Sequence, residues 1–359
     1  MKIGILGDLH FGARNDSHEF LSYFNKFFDE VYFPELKSRG IREVIQLGDI
    51  VDRRKFINYV TLNKLRLFAD KHKENNIKLH VLIGNHDVPY RNTNDINSMK
   101  ELFSDHNSVN SYSEPKEIDI DGCKILMMPW INNSNYSQCM EIMKNTKAQI
   151  LFGHLEIKGF EMYRGMPSHE GFDASAFDKF DIVFSGHFHR KSEKGNIHYV
   201  GTPYEITWSD YNDPRGFHIW DTETRDIEFI ENKNKMFNKI WYDDTNKTLD
   251  NIMNQEFHYL KSSYVKIIVQ NKNNPYWFDL FTNKIYEESP LDVTIVDDHR
   301  NMDELNSGDL TNEAEDTLTI LGRYINGLET NINKKDLDKL MSSLYNESLS
   351  MEKMERDEN

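Results

Sequence analysis

Eight polar side chains with the chemistry of metal ligands stand at the ends of short apolar runs in this sequence. They occur in five motifs: Asp8-x-His10, Gly48-Asp49, Gly84-Asn85-His86, Gly153-His154 and Gly186-His187-x-His189. Carboxylate, amide and imidazole groups together favour a borderline-to-hard divalent ion, Mn²⁺ first, with Mg²⁺, Zn²⁺ and Fe²⁺ as alternatives. If one carboxylate bridges, these residues suffice for two ions about 3.5–4 Å apart, an arrangement that activates water for hydrolysis.

Each of these residues also has an ordinary structural explanation. An Asp after a Gly is common in turns, and Asn85 is suited to an Asx turn. A histidine on an apolar strand, such as His154, is usually a satisfied core residue. The repetition of one pattern at five strand ends is what favours a metal centre.

The elements that must position these residues alternate between strand and helix. Strands are predicted at residues 2–7, 43–47, 79–83, 124–128, 149–152 and 181–184, and helices at 17–38, 59–73, 96–103 and 137–145. This order predicts a layered α/β domain, in which ligands lie beyond the carboxyl ends of the strands. Three later apolar runs, at 197–203, 216–221 and 226–231, are interpreted as consecutive strands of a second sheet that completes a sandwich.

The composition changes after about residue 232. Two strands (264–269 and 291–296) around a helix (277–287) predict a small βαβ unit. An acidic linker follows, and then two helices with one-sided apolar stripes. One stripe contains Leu318, Leu321, Tyr324, Ile325 and Leu328, and the other contains Leu337, Leu340, Met341, Leu344 and Tyr345. The predicted units are residues 1–232, 233–298, 299–312 (the linker) and 313–359.

The overall composition is that of a soluble protein, with 38% hydrophobic and 28% charged residues among 359. No stretch approaches the roughly 20 apolar residues of a membrane span. Two cysteines and no signal-peptide core predict a cytoplasmic protein. The net charge of −16 is unusual for a protein that binds DNA alone. Either DNA is not the substrate, or metal ions and a partner supply positive charge beyond the local cluster Arg53-Arg54-Lys55.

The five motifs, with Asp52 after Gly48-Asp49 and Asp87 after His86, resemble the calcineurin-like metallophosphoesterase superfamily over residues 1–220. The resemblance implies a four-layer α/β sandwich with two metal ions at one rim. By position, Asp8, His10 and His189 hold the first ion, Asn85, His154 and His187 hold the second, and Asp49 bridges them. His86 corresponds to the histidine that contacts the scissile phosphate and protonates the leaving oxygen. Asp87 is interpreted as the residue that orients His86, and Asp52 as a supporting or structural acid.

Within the superfamily, the chain is similar to the nuclease subunits of SbcCD-type ATPase–nuclease complexes, in particular the phage branch. The sequences Gly7–Gly12, Val200–Tyr204 and Asp213–Phe217 add to this similarity. It implies a Mn²⁺-dependent DNA exonuclease and endonuclease of recombination and double-strand-break processing, in the host cytoplasm if a phage encodes it. It also implies a βαβ capping domain that positions DNA and C-terminal helices that dock on a coiled-coil ATPase. A homodimer is left open.

One family feature is missing, because many cellular members have a phosphate-contacting histidine near the position of Asp52. This chain has none there, and Arg53 or Arg54 is the candidate replacement.

Two alternatives compete with the nuclease. A small-molecule phosphatase or cyclic-nucleotide phosphodiesterase on the same scaffold would explain the acidic charge but would leave about 120 C-terminal residues without a role. A non-catalytic scaffold is disfavoured because His86 is present with every ligand. Cleavage of linear DNA compared with a chromogenic phosphodiester distinguishes these classes.

Overall fold

A computed structural model describes residues 1–163 and 166–297, together with the single positions 333, 334, 337 and 340. The predicted linker and the predicted C-terminal helices therefore lie outside the described residues, apart from those four positions. Among the described helices, none combines the length and the apolar character that crossing a bilayer requires.

Strands and helices alternate as predicted over about the first 80 residues, and strands predominate after that. The strands, in order, are β1 (Lys2–Leu6), β2 (Glu43–Gln46), β3 (Lys78–Leu82), β4 (Val109–Tyr112), β5 (Lys116–Ile120), β6 (Cys123–Met128), β7 (Ile150–His154), β8 (Glu161–Tyr163), β9 (Met166–Pro167), β10 (Ile182–Gly186), β11 (Ser192–Lys194), β12 (Ile197–Tyr199), β13 (Gly216–Asp221), β14 (Ile227–Glu231), β15 (Phe237–Asp243), β16 (Tyr264–Asn271) and β17 (Asp292–Asp297). The helices are α1 (His18–Phe27), α2 (Phe33–Ser38), α3 (Tyr59–Glu74), α4 (Ser98–Phe103), α5 (Tyr136–Asn145), α6 (Leu249–Met253) and α7 (Pro275–Glu287). Short 3₁₀ turns lie at Ala174–Phe177, Trp208–Asp210 and His258–Leu260.

The strands form two six-stranded mixed sheets. The first has the order β14-β13-β1-β2-β3-β4, and the second has the order β11-β12-β10-β7-β6-β5. The prediction that 197–203, 216–221 and 226–231 share the second sheet is wrong for the last two. β13 pairs antiparallel with β1 (Ile3 opposite Trp220), so β13 and β14 extend the first sheet. Apolar patterning marks a strand but not its neighbour, because pairing partners can be far apart in sequence.

Apolar side chains cover both faces of both sheets. On β1, Ile3 and Ile5 point toward the second sheet and join a cluster with Phe152 and Phe184, while Leu6 faces the helices on the other side. This alternation follows from the two-residue period of a strand. A third cluster packs β6, β7 and β10 against α5. The strand ends are therefore held by packing above and below them.

A π-helical turn at Phe28–Tyr32 separates α1 from α2, where the sequence predicts one helix over 17–38. Ser17 is the predicted N-cap, and its side chain accepts a hydrogen bond from the amide of Phe20 at 3.3 Å. Pro34, in the first turn of α2, lacks the amide that would bond to Glu30 and would crowd that carbonyl in a regular α-helix. The wider turn relieves this conflict.

Residues 233–297 contain the predicted βαβ arrangement and one strand more. β15, β16 and β17 form a parallel sheet with β16 in the centre, packed against α6 and α7. β15 was not predicted, because Asn238 and Lys239 interrupt its apolar run. The buried carboxylate of Glu205 accepts hydrogen bonds from the amides of Met236 and Phe237 at 2.7 and 3.0 Å, which fixes the entry to β15.

Candidate metal centre

The carboxyl ends of five parallel strands bring the predicted ligands together. β1, β2 and β3 lead into Asp8, Asp49 and Asn85 from the first sheet. β7 ends at His154 and β10 leads into His187 from the second sheet. The predicted ligand set is thus assembled at the carboxyl ends of strands from both sheets.

Tight backbone geometry accompanies this convergence. His10, Asp49 and His187 have φ values of 45°, 52° and 88°, which non-glycine residues seldom adopt and which concentrate at functional sites. At Gly84 the requirement is for space, because an added Cβ would lie 2.2 Å from Oδ1 of Asp49. Gly186 likewise leaves no room, since its Cβ would lie 2.6 Å from Oδ1 of Asp8. These two glycines thus permit the close approach of a carboxylate.

The first predicted ligand set, Asp8, His10 and His189, forms one cluster whose ligand atoms lie within 4.8 Å of one another. The Nε2 atoms of His10 and His189 are 2.9 Å apart, and Nε2 of His189 is 3.9 Å from Oδ2 of Asp8. Asp8 is fully buried and accepts hydrogen bonds from the amide of His187. This contact links the first set to the second.

The second set surrounds the side-chain oxygen of Asn85. Oδ1 of Asn85 lies 2.9 Å from Nε2 of His154 and 2.9 Å from Nδ1 of His187. Oδ2 of Asp49 is 3.5 Å from Nε2 of His154 and 4.0 Å from Nε2 of His10. Asp49 therefore has one ligand histidine from each set within reach, as a bridging carboxylate requires.

The donor set fits a cation. Nδ1 of His154 is 2.7 Å from the carbonyl oxygen of Leu47, which can only accept, so in the neutral ring the proton is at Nδ1 and a lone pair is at Nε2. That lone pair faces the oxygens of Asn85 and Asp49, which are also acceptors. Acceptors that converge in a buried space are satisfied by a positive ion between them. A backbone carbonyl that fixes the tautomer is also typical of metal-bound histidine.

The electrostatics of the chain alone agree with this fit. Burial opposes a charge on His154, but the carboxylates of Asp49 and Asp8 outweigh it and raise the pKa of the ring to about 9. Burial opposes the charge on His10 as well, and Asp52 and Asp49 raise its pKa to about 9. Burial raises the pKa of Asp8 to about 6. Without a metal ion, the rings of His154 and His10 would thus hold protons at neutral pH that metal binding would displace.

His86 lies beside the first ligand set, with its ring centroid 4.9 Å from that of His10. Its Nδ1 is 2.6 Å from the backbone carbonyl of Asp52, and its amide donates to Oδ1 of Asp49 at 2.7 Å. The carboxylate of Asp52 lies 3.2 Å from Nδ1 of His10. Asp52 thus supports two histidines, one through its carbonyl and one through its carboxylate.

The prediction that Asp87 orients His86 is wrong. The fully enclosed carboxylate of Asp87 accepts hydrogen bonds from backbone amides of the 49–51 turn and from Gly84, at 2.8–3.3 Å. Nδ1 of His86 is occupied by the carbonyl of Asp52 instead. Asp87 therefore shapes the loop that carries Asp49, the predicted bridging residue.

The two candidate phosphate-binding arginines differ in their surroundings. Arg53 is held by Asn15 at 2.6 Å and Asp16 at 3.3 Å, and its guanidinium lies over the ring of Phe56. Burial and the neighbouring Arg91 lower the pKa of Arg54, whereas Asp49 opposes that shift. Arg54 thus shares the electrostatic environment of Asp49, while Arg53 is engaged with the 15–16 turn.

Two supporting residues lie in the motifs Val200–Tyr204 and Asp213–Phe217, whose residues had no predicted role in the site. The buried guanidinium of Arg215 donates to the carbonyl oxygen of His189 and to Asp210, at 2.8 Å for the latter. The hydroxyl of Tyr204 donates to the carbonyl oxygen of Leu9 at 2.6 Å. Both residues thus hold backbone next to the first ligand set. Only their place in the motifs signalled their importance.

A third residue, Trp130, was missed altogether. Its indole centroid lies 5.1 Å from the ring of His187 and 6.0 Å from that of His154. The only sequence signal was its position after Pro129 at the end of a predicted strand.

Comparisons with known proteins agree with this geometry. The family model "Calcineurin-like phosphoesterase" matches residues 1–191. The chain is 38% identical over 242 residues to exonuclease subunit 1 of Enterobacteria phage T4, covering 67% of this chain and 71% of that protein. A solved archaeal phosphodiesterase aligns over 65% of this chain and all of its own, at 18% identity and a TM-score of 0.34, which is too low to support an argument.

The family match covers every predicted metal ligand, and the phage relative extends the similarity over two thirds of the chain. The chain is therefore a hydrolase homologous to a phage exonuclease subunit, and it belongs to the calcineurin-like phosphoesterase family.

Proposed function

We propose that this chain is the nuclease subunit of an ATPase–nuclease complex and that it hydrolyses phosphodiester bonds of DNA. The observation that carries the proposal is the position of Asp49 between two ligand sets, with the His86 ring beside one of them. The identity to a phage exonuclease subunit supports DNA as the substrate.

Two divalent ions, Mn²⁺ in the first place, would be held by the two sets. Asp8, His10 and His189 would bind one ion, Asn85, His154 and His187 the other, and Asp49 both. When bound, the pair supplies an activated water and offsets the charge on the phosphoryl oxygens. Asp52, Asp87 and Arg215 keep the ligand-bearing loops in place.

His86 would protonate the departing oxygen. The carbonyl of Asp52 fixes the ring at Nδ1, which leaves Nε2 for the proton that is transferred. Burial lowers the pKa of His86, so that the charged ring gives up its proton readily. Arg54, through its charge near Asp49, is the better candidate for a phosphate contact than Arg53, which the 15–16 turn occupies.

The test is cleavage of end-labelled linear DNA by purified protein with Mn²⁺, after removal of metal by a chelator and its return. Activity should vanish with chelation and return with Mn²⁺. A protein that hydrolyses a small chromogenic phosphodiester but leaves single- and double-stranded DNA intact would be a small-molecule phosphodiesterase instead. His18→Ala is the control variant and should cleave as wild type does, because His18 is exposed, begins α1 and is outside both ligand sets and residues 233–298.

The wider organisation belongs to the same proposal. Residues 1–232 would form the four-layer metallophosphoesterase sandwich, and 233–298 a capping domain that positions DNA. Residues 299–312 would be a linker, and 313–359 would dock on a coiled-coil ATPase of the SbcC type in the host cytoplasm. The apolar layers on both faces of each sheet support the sandwich. The exposed side chain of Leu340 supports the docking surface.

A further inference from the structure

Trp130 presents an aromatic surface at the edge of the metal centre. It follows β6, and its indole is tilted by 42° to the ring of His187 and lies edge-on, at 71°, to that of His154. The residue is half-buried, and its indole lies against the two histidines of the second ligand set.

The backbone of Trp130 is fixed by three hydrogen bonds. Its amide donates to the carbonyl oxygen of Ile83 at 2.8 Å. Its carbonyl accepts from the side-chain amides of Asn94 at 2.9 Å and Asn135 at 3.0 Å. Asn94 and Asn135 are each 2% exposed. Two buried amide groups are thus committed to the position of one residue.

A third asparagine completes this support. The side-chain amide of Asn132 donates to Oδ1 of Asn94 at 2.8 Å, and its backbone amide donates to Oδ1 of Asn135 at 2.8 Å. The proposed chemistry uses none of the three. Because buried amides are costly to leave unpaired, this network is rigid, and it determines where the indole stands.

The contact with Ile83 connects the indole to the reacting groups. Ile83 immediately precedes Gly84, Asn85 and His86, so one strand end positions a metal ligand, the candidate general acid and Trp130. A flat aromatic group at a fixed place beside a phosphate-binding centre matches a nucleobase, because base–aromatic stacking tolerates any sequence.

We propose that Trp130 is a stacking platform for the base next to the scissile phosphate, and that it favours unpaired DNA ends, whose bases are free to stack. The proposal rests on the nuclease function proposed above. It assigns to this chain a base-binding subsite beside the second ligand set.

The test compares two enzymes on two substrates. Wild type and Trp130→Ala are assayed on single-stranded oligonucleotides that are intact or that lack one base, on either side of the cleaved phosphate. Removing the stacked base should lower kcat/KM of wild type about 5- to 100-fold on one side of the phosphate. On the intact strand, Trp130→Ala should have a kcat/KM lower than that of wild type by the same factor. Removing the base should not lower the kcat/KM of Trp130→Ala any further.

Two variants separate stacking from support. Trp130→Phe should retain most of the activity on the intact strand, because it keeps an aromatic face. Tyr59→Ala is the aromatic control, since Tyr59 is 88% exposed, begins α3 and lies outside residues 233–298. The metal content of each variant is measured in parallel and should equal that of wild type.

A Trp130→Ala enzyme that loses the same factor on intact and abasic strands, or that loses bound metal, would overturn the platform and leave a support role. A wild type that hydrolyses a chromogenic phosphodiester but no DNA would reject the nuclease function, and with it the base-binding subsite. Wild-type cleavage of DNA without sensitivity to a missing base would reject the subsite alone.

Discussion

At the scale of single residues, the site depends on carboxylates whose roles differ although their chemistry is the same. Asp8 and Asp49 face imidazoles of the two ligand sets. Asp52 lies beside Nδ1 of His10. Asp87, among its described contacts, faces only backbone amides and the Ser98 hydroxyl. The ligands were predictable because each ends a strand. The role of Asp87 was not, because a carboxylate beside a histidine in sequence can turn toward the opposite side of its loop.

Asp49→Ala should abolish metal binding at both sites, because the two ligand sets share this one carboxylate. Metal analysis of the purified variant, with the Asp52→Ala protein for comparison, checks this. About two ions per chain in Asp49→Ala would show that Asp49 does not bridge.

His86→Ala should retain its metal ions and lose activity by roughly 10²–10⁴-fold, as expected for removal of a general acid. The side chain lies beside the ligand sets, and only its amide bonds to Asp49. Metal content and turnover of the same preparation are the measurements, with His18→Ala as the control. Loss of the metals together with activity would make His86 a ligand.

At the scale of elements, strands and helices could be predicted from local patterns, while their partners could not. The run at 216–221 is a strand as expected, but its place beside β1 depends on contacts with residues near the N-terminus. The π-helical turn depends on a conflict between Pro34 and Glu30 that an apolar period does not reveal. Ligand positions survive such errors because they depend on strand ends and not on strand order.

Helix α3 contains a buried histidine that should make stability depend on pH. His72 lies 2.8 Å from the Tyr32 hydroxyl and 2.8 Å from the carbonyl of Phe68. Burial lowers its pKa from 6.5 to about 4. The unfolded chain therefore takes up a proton below pH 6.5 that the folded chain takes up only near pH 4, so the free energy of unfolding falls between these values by about 3 kcal/mol.

Urea unfolding of wild type and His72→Gln at pH 7.5, 5.5 and 4 measures this contribution. The two proteins should converge as the pH falls, because glutamine keeps a polar partner for Tyr32 but does not titrate. Equal pH dependence of both would remove His72 as the cause.

At the scale of the whole molecule, the acidic net charge of −16 has to be reconciled with the polyanionic substrate proposed above. Carboxylates gathered around the metal centre account for part of it, since bound cations would offset them. The proposed partner would supply the rest of the attraction for DNA. The net charge of this chain therefore favours a subunit that works within a complex.

Truncation after Asn312 should leave a folded protein that binds two metal ions and cleaves a small phosphodiester. It should fail to co-purify with a coiled-coil ATPase and should lose ATP-stimulated processing of double-stranded DNA. The comparison is with the full chain, co-expressed with the same ATPase. An insoluble truncated protein, or one that still binds the ATPase fully, would place residues 313–359 in the core of the enzyme.

The pairing of β1 with β13 also has a consequence during translation. Lys2 lies opposite Asp221, so the second neighbour of β1 leaves the ribosome only after most of both sheets has been made. At about 5–20 residues per second, roughly 10–40 s pass between the synthesis of β2 and the synthesis of β13, with which β1 pairs. Over that interval one edge of β1 is unpaired, a template for misassociation between growing chains. His187 and His189 are synthesised in the same interval. Both predicted ligand sets are therefore complete only near the end of synthesis of the first two sheets.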